Sequence, residues 1–230
     1  MNLRLQALVE LVDLGARVAD IGTDHAYLPI ALVKQQRVDF VIASDVGKGP
    51  LANAQADIQA ACLENQIKTR LGSGLATILP TDRVNTAVIA GMGGRLITEI
   101  LQAGVESGLL LPTLVLAPNV GEPIVRHWLM DHHYQIVAER LLTEAGHSYE
   151  LIKAKLGTTR FALTESELLF GPDILKRRGS VFQKKWVDRA ACLAKLLTNL
   201  QRAKQPDTHL IKQVVAEQKL IKEVLSDDHS

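Results

Sequence analysis

Four short segments bearing glycine or aspartate carry the groups that could do chemistry. Gly22-Thr23-Asp24-His25 follows the apolar run Val18–Ile21, Asp45-Val46 closes Phe40–Ser44, Gly72-Ser73-Gly74 follows Thr69–Leu71, and Gly91-Met92-Gly93-Gly94 follows Val84–Ala90. Gly22 permits a tight turn beside a ligand. A helix after that turn would aim free N–H groups and the positive end of its dipole at the same ligand. A full G-x-G-x-x-G is absent, because Asp24 stands at the second glycine position. A carboxylate there repels a pyrophosphate and welcomes the ammonium of an amino-acid moiety. Asp45, 25 residues beyond Asp20, can accept from both hydroxyls of a ribose; the other reading of Asp45 is an N-cap for the helix after Gly47. The Gly72–Gly74 turn is narrow enough for an adenine ring to approach the backbone. The Gly-Met-Gly-Gly loop can receive a bulky ligand, or its last two glycines can serve helix packing. Four strand ends suited to a nucleoside joined to an amino acid describe S-adenosylmethionine better than NAD.

Those groups must be held by alternating strands and helices. Of the five strand-like segments, Thr113–Ala117 being the last, most have apolar residues in a row, as strands buried on both faces do. Between them Ala26–Gln35, Pro50–Asn65, Leu96–Val105 and Glu122–His132 have apolar spacing of three to four. The alternation predicts a parallel sheet with right-handed crossovers and ligands at the carboxyl ends of its strands. Tyr134–Leu141 and Tyr149–Leu156, separated by a polar turn with Gly146, predict an antiparallel hairpin at the end of that sheet. From residue 161 onward the pattern is helical. Thr164-Glu165-Ser166-Glu167 has the capping-box form, and Pro172 suits a first turn. Trp186, Ala190, Leu193, Leu197 and Leu200 form a heptad seam, Asp207 offers an N-cap, and Leu210, Val214, Ile221 and Leu225 form a second stripe. The expected organisation is a catalytic domain over 1–160 and a helical hairpin over 161–230.

With 47% hydrophobic and 22% charged residues, the 230-residue chain can bury a real core and is not a disordered segment. Its longest uncharged stretch, Ser107–Gly121, is interrupted by Pro112 and Pro118, so no membrane span is expected. Cys62 and Cys192 lie far apart, no His-x-x-x-His pair occurs, and no metal site is expected. His127, His132 and His133 sit near a helix end, where capping of carbonyls is expected. Tyr27, one turn into its helix, is expected in the core or against a base. The net charge of +1 conceals a basic run, Lys176 to Lys204, with nine cations and one acid, Asp188. Such a run attracts a polyanion such as RNA, or forms a solvated helix face.

The segments ADIGTDHAYLP, ASDVGKGPLANA, RLGSGL and VIAGMGGRLI, in order over Ala19–Ile97, together resemble the TrmK family of bacterial tRNA adenine-N1 methyltransferases. Leu114–Asn119 resembles the exit of that family's fifth strand. The resemblance implies a class I (Rossmann-like) S-adenosylmethionine-dependent methyltransferase sheet ending in an antiparallel hairpin, with a C-terminal helical, coiled-coil-like domain. It implies an enzyme that methylates N1 of adenine 22 in tRNA; the two separated cysteines, with no disulfide framework, fit a reducing cytoplasm. Carried over by motif, Gly22, Thr23, Asp24 and His25 line the methionine part of the cofactor, and Asp45 and Val46 hold the ribose. Gly72, Ser73 and Gly74 border the adenine, and Gly91 and Met92 floor the sulfonium. Ser73 departs from the acid found there in many class I methyltransferases and offers only a hydroxyl or backbone group.

Adenine N1 attacks through an in-plane lone pair, so no proton need leave first and alignment matters more than a strong base. The base must be exposed or flipped out. Asp24 and Asn119 are the candidate catalytic residues: Asp24 beside the sulfonium, Asn119 on the base edge. The expected RNA-binding residues are Arg95, Lys176, Arg177, Arg178, Lys184, Lys185 and Arg189, and the expected state is a monomer or weak homodimer. Two other functions fit the residues: a class I methyltransferase acting on a small molecule or protein, and a non-catalytic RNA-binding module.

Overall fold

A computed structural model describes residues 2–203 and 205–227. Helix α1 (Leu3–Leu11) precedes alternating strands and helices: β1 (Arg17–Ile21), α2 (Tyr27–Lys34), β2 (Phe40–Asp45), α3 (Lys48–Ala60), β3 (Ile67–Leu71), β4 (Thr86–Ala90), α4 (Gly94–Glu106), β5 (Thr113–Ala117) and α5 (Glu122–Asp131). A hairpin follows, β6 (Tyr134–Glu144) and β7 (His147–Leu156). Ala145 and Gly146, both at positive φ, form its two-residue turn, the geometry that matches strand twist. The strands form one sheet in the order β3-β2-β1-β4-β5-β7-β6. β1 to β5 run parallel, and β7 pairs antiparallel with both β5 and β6.

The inner strands β1, β2, β4 and β5 are covered on both faces, which is why they read as largely apolar runs, whereas β3 (Ile-Lys-Thr-Arg-Leu) and β6 keep polar, partly exposed positions. Val18, Val41, Ala43, Val88 and Val115 pack beneath α1, α2 and α3. The alternate residues Ala19, Ile42, Ile89 and Leu116 pack against Ile97, Leu101, Val125 and Leu129 of α4 and α5. The order reverses between β1 and β4, so the crevice for a ligand lies at their carboxyl ends.

The helical pattern sets a boundary at residue 160, whereas the compact units part after Leu175. The cause is a buried ion cluster. Arg126 of α5, Glu139 of β6 and Glu150 of β7 have no side-chain exposure, and Arg126 pairs with both carboxylates. Arg126 also donates to the carbonyls of Leu168 and Leu169 in α6 (Glu165–Phe170). Glu139 accepts from the amides of Asp173 and Ile174 in α7 (Pro172–Arg177). A side chain on Gly171, at φ +86°, would overlap this cluster. These bonds hold α6 and the start of α7 to the first unit.

The second unit contains α8 (Ser180–Arg202) and α9 (Thr208–Ser226). Asp207 caps α9 by accepting from His209 and Leu210 amides. Phe182, Trp186 and Leu193 are buried on α8, and Val214, Ile221 and Val224 on α9. Val224 completes the second stripe more deeply than Leu225. The Arg189–Glu217 and Arg178–Val224 bonds run in opposite senses along the two helices, as in an antiparallel pair.

Candidate functional site

The loop after β1 is built around two left-handed turns. Gly22 adopts φ +80° and its amide donates to the Ser44 carbonyl; a side chain there would overlap the Met92 methyl. His25 and Ala26 adopt φ +58° and +47° without being glycine. Strain of this kind costs on the order of 1–3 kcal/mol per residue and is retained where the surroundings fix it. Here Asp57 of α3 does so: its Oδ2 lies 2.8 Å from His25 Nδ1. His25 Nε2 is 3.8 Å from Asp24 Oδ1, and Asp24 projects with 68% of its side chain exposed. Tyr27 departs from a core position. It is 61% exposed and stacks on His25 with ring centroids 5.3 Å apart, because the turn at Ala26 swings the first residue of α2 outward. Ala26 supplies no side-chain cap and Pro29 has no N–H, so the amides of Tyr27 and Leu28 are the ones left for a ligand.

Beneath this loop, burial pushes the Asp20 carboxyl up to about 6; the neighbouring Thr23 hydroxyl opposes the shift and the Asp45 charge adds to it. Asp45 ends β2 half-buried. Its Oδ1 accepts from the Gly47 amide at 2.7 Å, and its Oδ2 has no partner among the described residues. Gly47 itself is the N-cap of α3, so Asp45 forms a turn ahead of the helix rather than capping it. Val46 beside it is 71% exposed. At the end of β3 a side chain on Gly72 would crowd the Thr77 methyl, and Gly74 takes φ +51° to start a 3-10 turn. Ser73 is exposed and makes no capping bond.

The loops after β4 and β5 are knit together. Asn119 Nδ2 donates to the Gly91 carbonyl at 2.7 Å, the Asn119 amide donates to Met92, and Gly94 donates to Val120. One amide hydrogen of Asn119 is thus committed to shaping the Gly91-Met92 floor. Gly94 packs so closely on Gly121 that no side chain fits there. Arg4 of α1 also reaches this loop: its Nη2 lies 3.3 Å from where a Cβ on Gly91 would stand.

These residues fit S-adenosylmethionine: a carboxylate with an open oxygen at the second strand end, an exposed carboxylate in the first loop, glycine turns at the third and fourth, and uncapped helix starts at Ala26, Gly47 and Gly93. No group of three or more metal-type ligands occurs among the described residues, and no described helix is long and apolar enough to cross a membrane. A cleft of about 580 Å³ runs from Leu75 and Ala76, in the 3-10 turn that Gly74 starts, past Leu79, Pro80 and Arg83 to Leu109.

Sequence reasoning missed Asp57 and Arg4. Each occupies an ordinary helical position, 32 residues from His25 and 87 from Gly91 respectively, and only folding reveals their contacts. The histidines divide. His132 Nδ1 meets the Trp128 carbonyl at 2.8 Å, as expected of a cap, and stacks on that ring. His127 pairs instead with Asp131, and His133 Nδ1 is buried with no hydrogen-bond partner among the described residues. Of the cations, Arg95 is 87% exposed beside Glu99, Lys184 pairs with Asp188, and Arg189 forks onto Glu217 of α9. Lys185 lies over the Trp186 ring, Arg178 meets the Val224 carbonyl, and Lys176 and Arg177 end α7. Lys204 lies outside the described residues.

The family model for tRNA (adenine(22)-N(1))-methyltransferase matches residues 18–224. A curated relative of that name from Bacillus subtilis (strain 168) is 32% identical over 235 residues, covering 100% of this chain and 98% of the relative. Among solved structures, the Streptococcus pneumoniae protein Sp1610 in complex with S-adenosyl-L-methionine is 38% identical with a TM-score of 0.88, over 98% of this chain and 99% of that one. M. capricolum TrmK in complex with S-adenosyl-homocysteine is 26% identical with a TM-score of 0.83, over 98% of both.

Proposed function

The chain belongs to the TrmK family of tRNA (adenine(22)-N(1))-methyltransferases, and we infer that the residues at its strand ends serve that reaction. It transfers a methyl group from S-adenosylmethionine to N1 of adenine 22 in tRNA. The single observation that carries this is the match along essentially the whole chain to a relative of that activity.

The cofactor supplies an electrophilic methyl on a sulfonium; the chain supplies binding and alignment. Asp45 holds the ribose through its open oxygen, with Val46 beside it. Gly72, Ser73 and Gly74 border the adenine. Gly22, Thr23, Asp24 and His25 line the amino-acid part, with Asp57 fixing the His25 ring. Gly91 and Met92 form the floor, and Asn119 holds that floor as a positioning residue. Asp24 stands where positive charge moves from sulfur to the base, and needs no proton to assist. The exposed His25–Tyr27 stack offers an aromatic face to an extruded base. The basic residues Lys176, Arg177, Arg178, Lys184, Lys185 and Arg189, together with Arg95, track RNA phosphates, and the second unit serves as an RNA-binding domain. Truncation after Leu175 should spare cofactor binding and abolish tRNA methylation. Because the Trp186–Leu200 seam is met by α9 of the same chain, the protein acts as a monomer or weak homodimer, which light scattering tests. Its place is the cytoplasm, where its substrate is.

The decisive experiment is transfer of labelled methyl from S-adenosylmethionine into unmodified tRNA, with nucleoside analysis. The expected product is 1-methyladenosine. Cofactor binding without incorporation would move the acceptor to a small molecule or protein.

A further inference from the structure

Arg4 is a cation placed where the reaction least needs one. α1 is anchored at its first turn: the Asn2 carboxamide accepts from Leu5, and the Leu3 amide donates to Glu144 at the end of β6 at 2.7 Å. β7 runs antiparallel to β5 with Ile152 opposite Leu116, so Tyr149, three residues away, stands level with the exit of β5 where Asn119 holds Gly91. The Arg4 guanidinium carbon lies 4.8 Å from the Tyr149 ring centroid, and its Nη2 borders Gly91. Arg4 is half-buried, and no carboxylate pairs with it among the described residues. Beside the floor of a site that receives a sulfonium and releases a cationic base, an uncompensated guanidinium opposes catalysis. The opposition vanishes if the substrate brings an anion to that point. Stacking on an aromatic ring takes up the face of the guanidinium and leaves its N–H edge for a bidentate oxyanion partner.

We propose that Arg4 binds the backbone phosphate adjoining the target adenosine, seating the acceptor nucleotide over Gly91-Met92 and neutralising its own charge as it does so. This rests on the tRNA reading above. The cofactor's own carboxylate is the competing anion, because the β1 loop that takes its amino-acid part packs on Met92; the cofactor affinity of the Arg4 variants separates the two.

Arg4→Gln and Arg4→Lys, with the wild type, are assayed for tRNA methylation over about 50–250 mM KCl, and for cofactor affinity by calorimetry. Arg4→Gln should lower kcat/KM about ten-fold or more and reduce the slope of log kcat/KM against log salt by about one, with cofactor Kd within about two-fold. Arg4→Lys should keep the slope and recover part of the rate. An unchanged slope in Arg4→Gln, whatever its rate, overturns the proposal. So does a loss of cofactor affinity matching the loss of rate, which would assign Arg4 to the cofactor carboxylate. A wild type that makes no 1-methyladenosine overturns the tRNA reading and the proposal together; an active wild type with an indifferent Arg4→Gln overturns the proposal alone.

Discussion

Replacing Arg126 with methionine should unfold the first unit at a markedly lower temperature. Methionine fills comparable space, so the principal loss is charge. Glu139 and Glu150 have no side-chain exposure and would remain buried without their cation. Breaking a buried ion pair from one side costs about 3–5 kcal/mol. The carbonyls of Leu168 and Leu169 lose a donor as well. In a unit of this size each kcal/mol moves Tm by about 2–4 °C, so the expected drop is about 6–20 °C. It can be read by thermal unfolding of the full chain at about pH 7.5. The effect should also titrate. Burial already raises Glu139, and Arg126 is the chief influence opposing that shift. Without Arg126 its folded pKa rises further above the unfolded value. A carboxyl raised in this sense contributes stability below its unfolded pKa and loses it as pH rises through the folded one. The deficit of Arg126→Met should therefore shrink on acidification toward about pH 5. Adding Glu139→Gln and Glu150→Gln should recover most of it, since no buried charge is then stranded. A variant melting within about 2 °C of the wild type, or with the same deficit at both pH values, would refute this account of the cluster.

Asn119→Ala removes one hydrogen bond to the Gly91 carbonyl, worth about 1 kcal/mol, so kcat should fall about five-fold with cofactor Kd nearly unchanged; equal loss in both would make Asn119 a cofactor contact. Asp45→Asn keeps the acceptor for the Gly47 amide but loses the charge offered to the ribose. Cofactor Kd should rise about ten-fold or more, at about 1.4 kcal/mol per decade, with Tm steady, and an unchanged Kd would free Asp45 of that role. Asp20, at about 6, contributes stability that is full below its unfolded value near 3.9 and is lost as pH rises through about 6. Asp20→Asn should therefore gain on the wild type by an order-of-magnitude 2–3 kcal/mol between about pH 4 and 7 in denaturant titrations; a difference flat across that range would contradict the shift.

The sheet was legible because burial on both faces writes a strand as an apolar run, and the crossover helices between them keep a different period. Thr113–Ala117 reads the same in sequence and structure, and the Thr164 capping box and the Asp207 cap are local chemistry that needs no tertiary context. The site was legible as far as it sits at strand ends, since topology sends Gly22, Asp45, Gly72 and Gly91 to one edge of any such sheet. What stayed hidden was decided by contacts across sequence distance. Only packing brings Asp57 to His25, turns Asn119 onto Gly91, swings Tyr27 into solvent and carries Arg4 over Tyr149. The boundary at Leu175 belongs to the same class, because it depends on Arg126 finding two carboxylates and two helix carbonyls from separate elements. Short-range periodicity, turns and motifs determined the elements and the chemistry they offer. The closed chain decided which polar groups meet, since a buried charge must find its partner wherever the fold brings one.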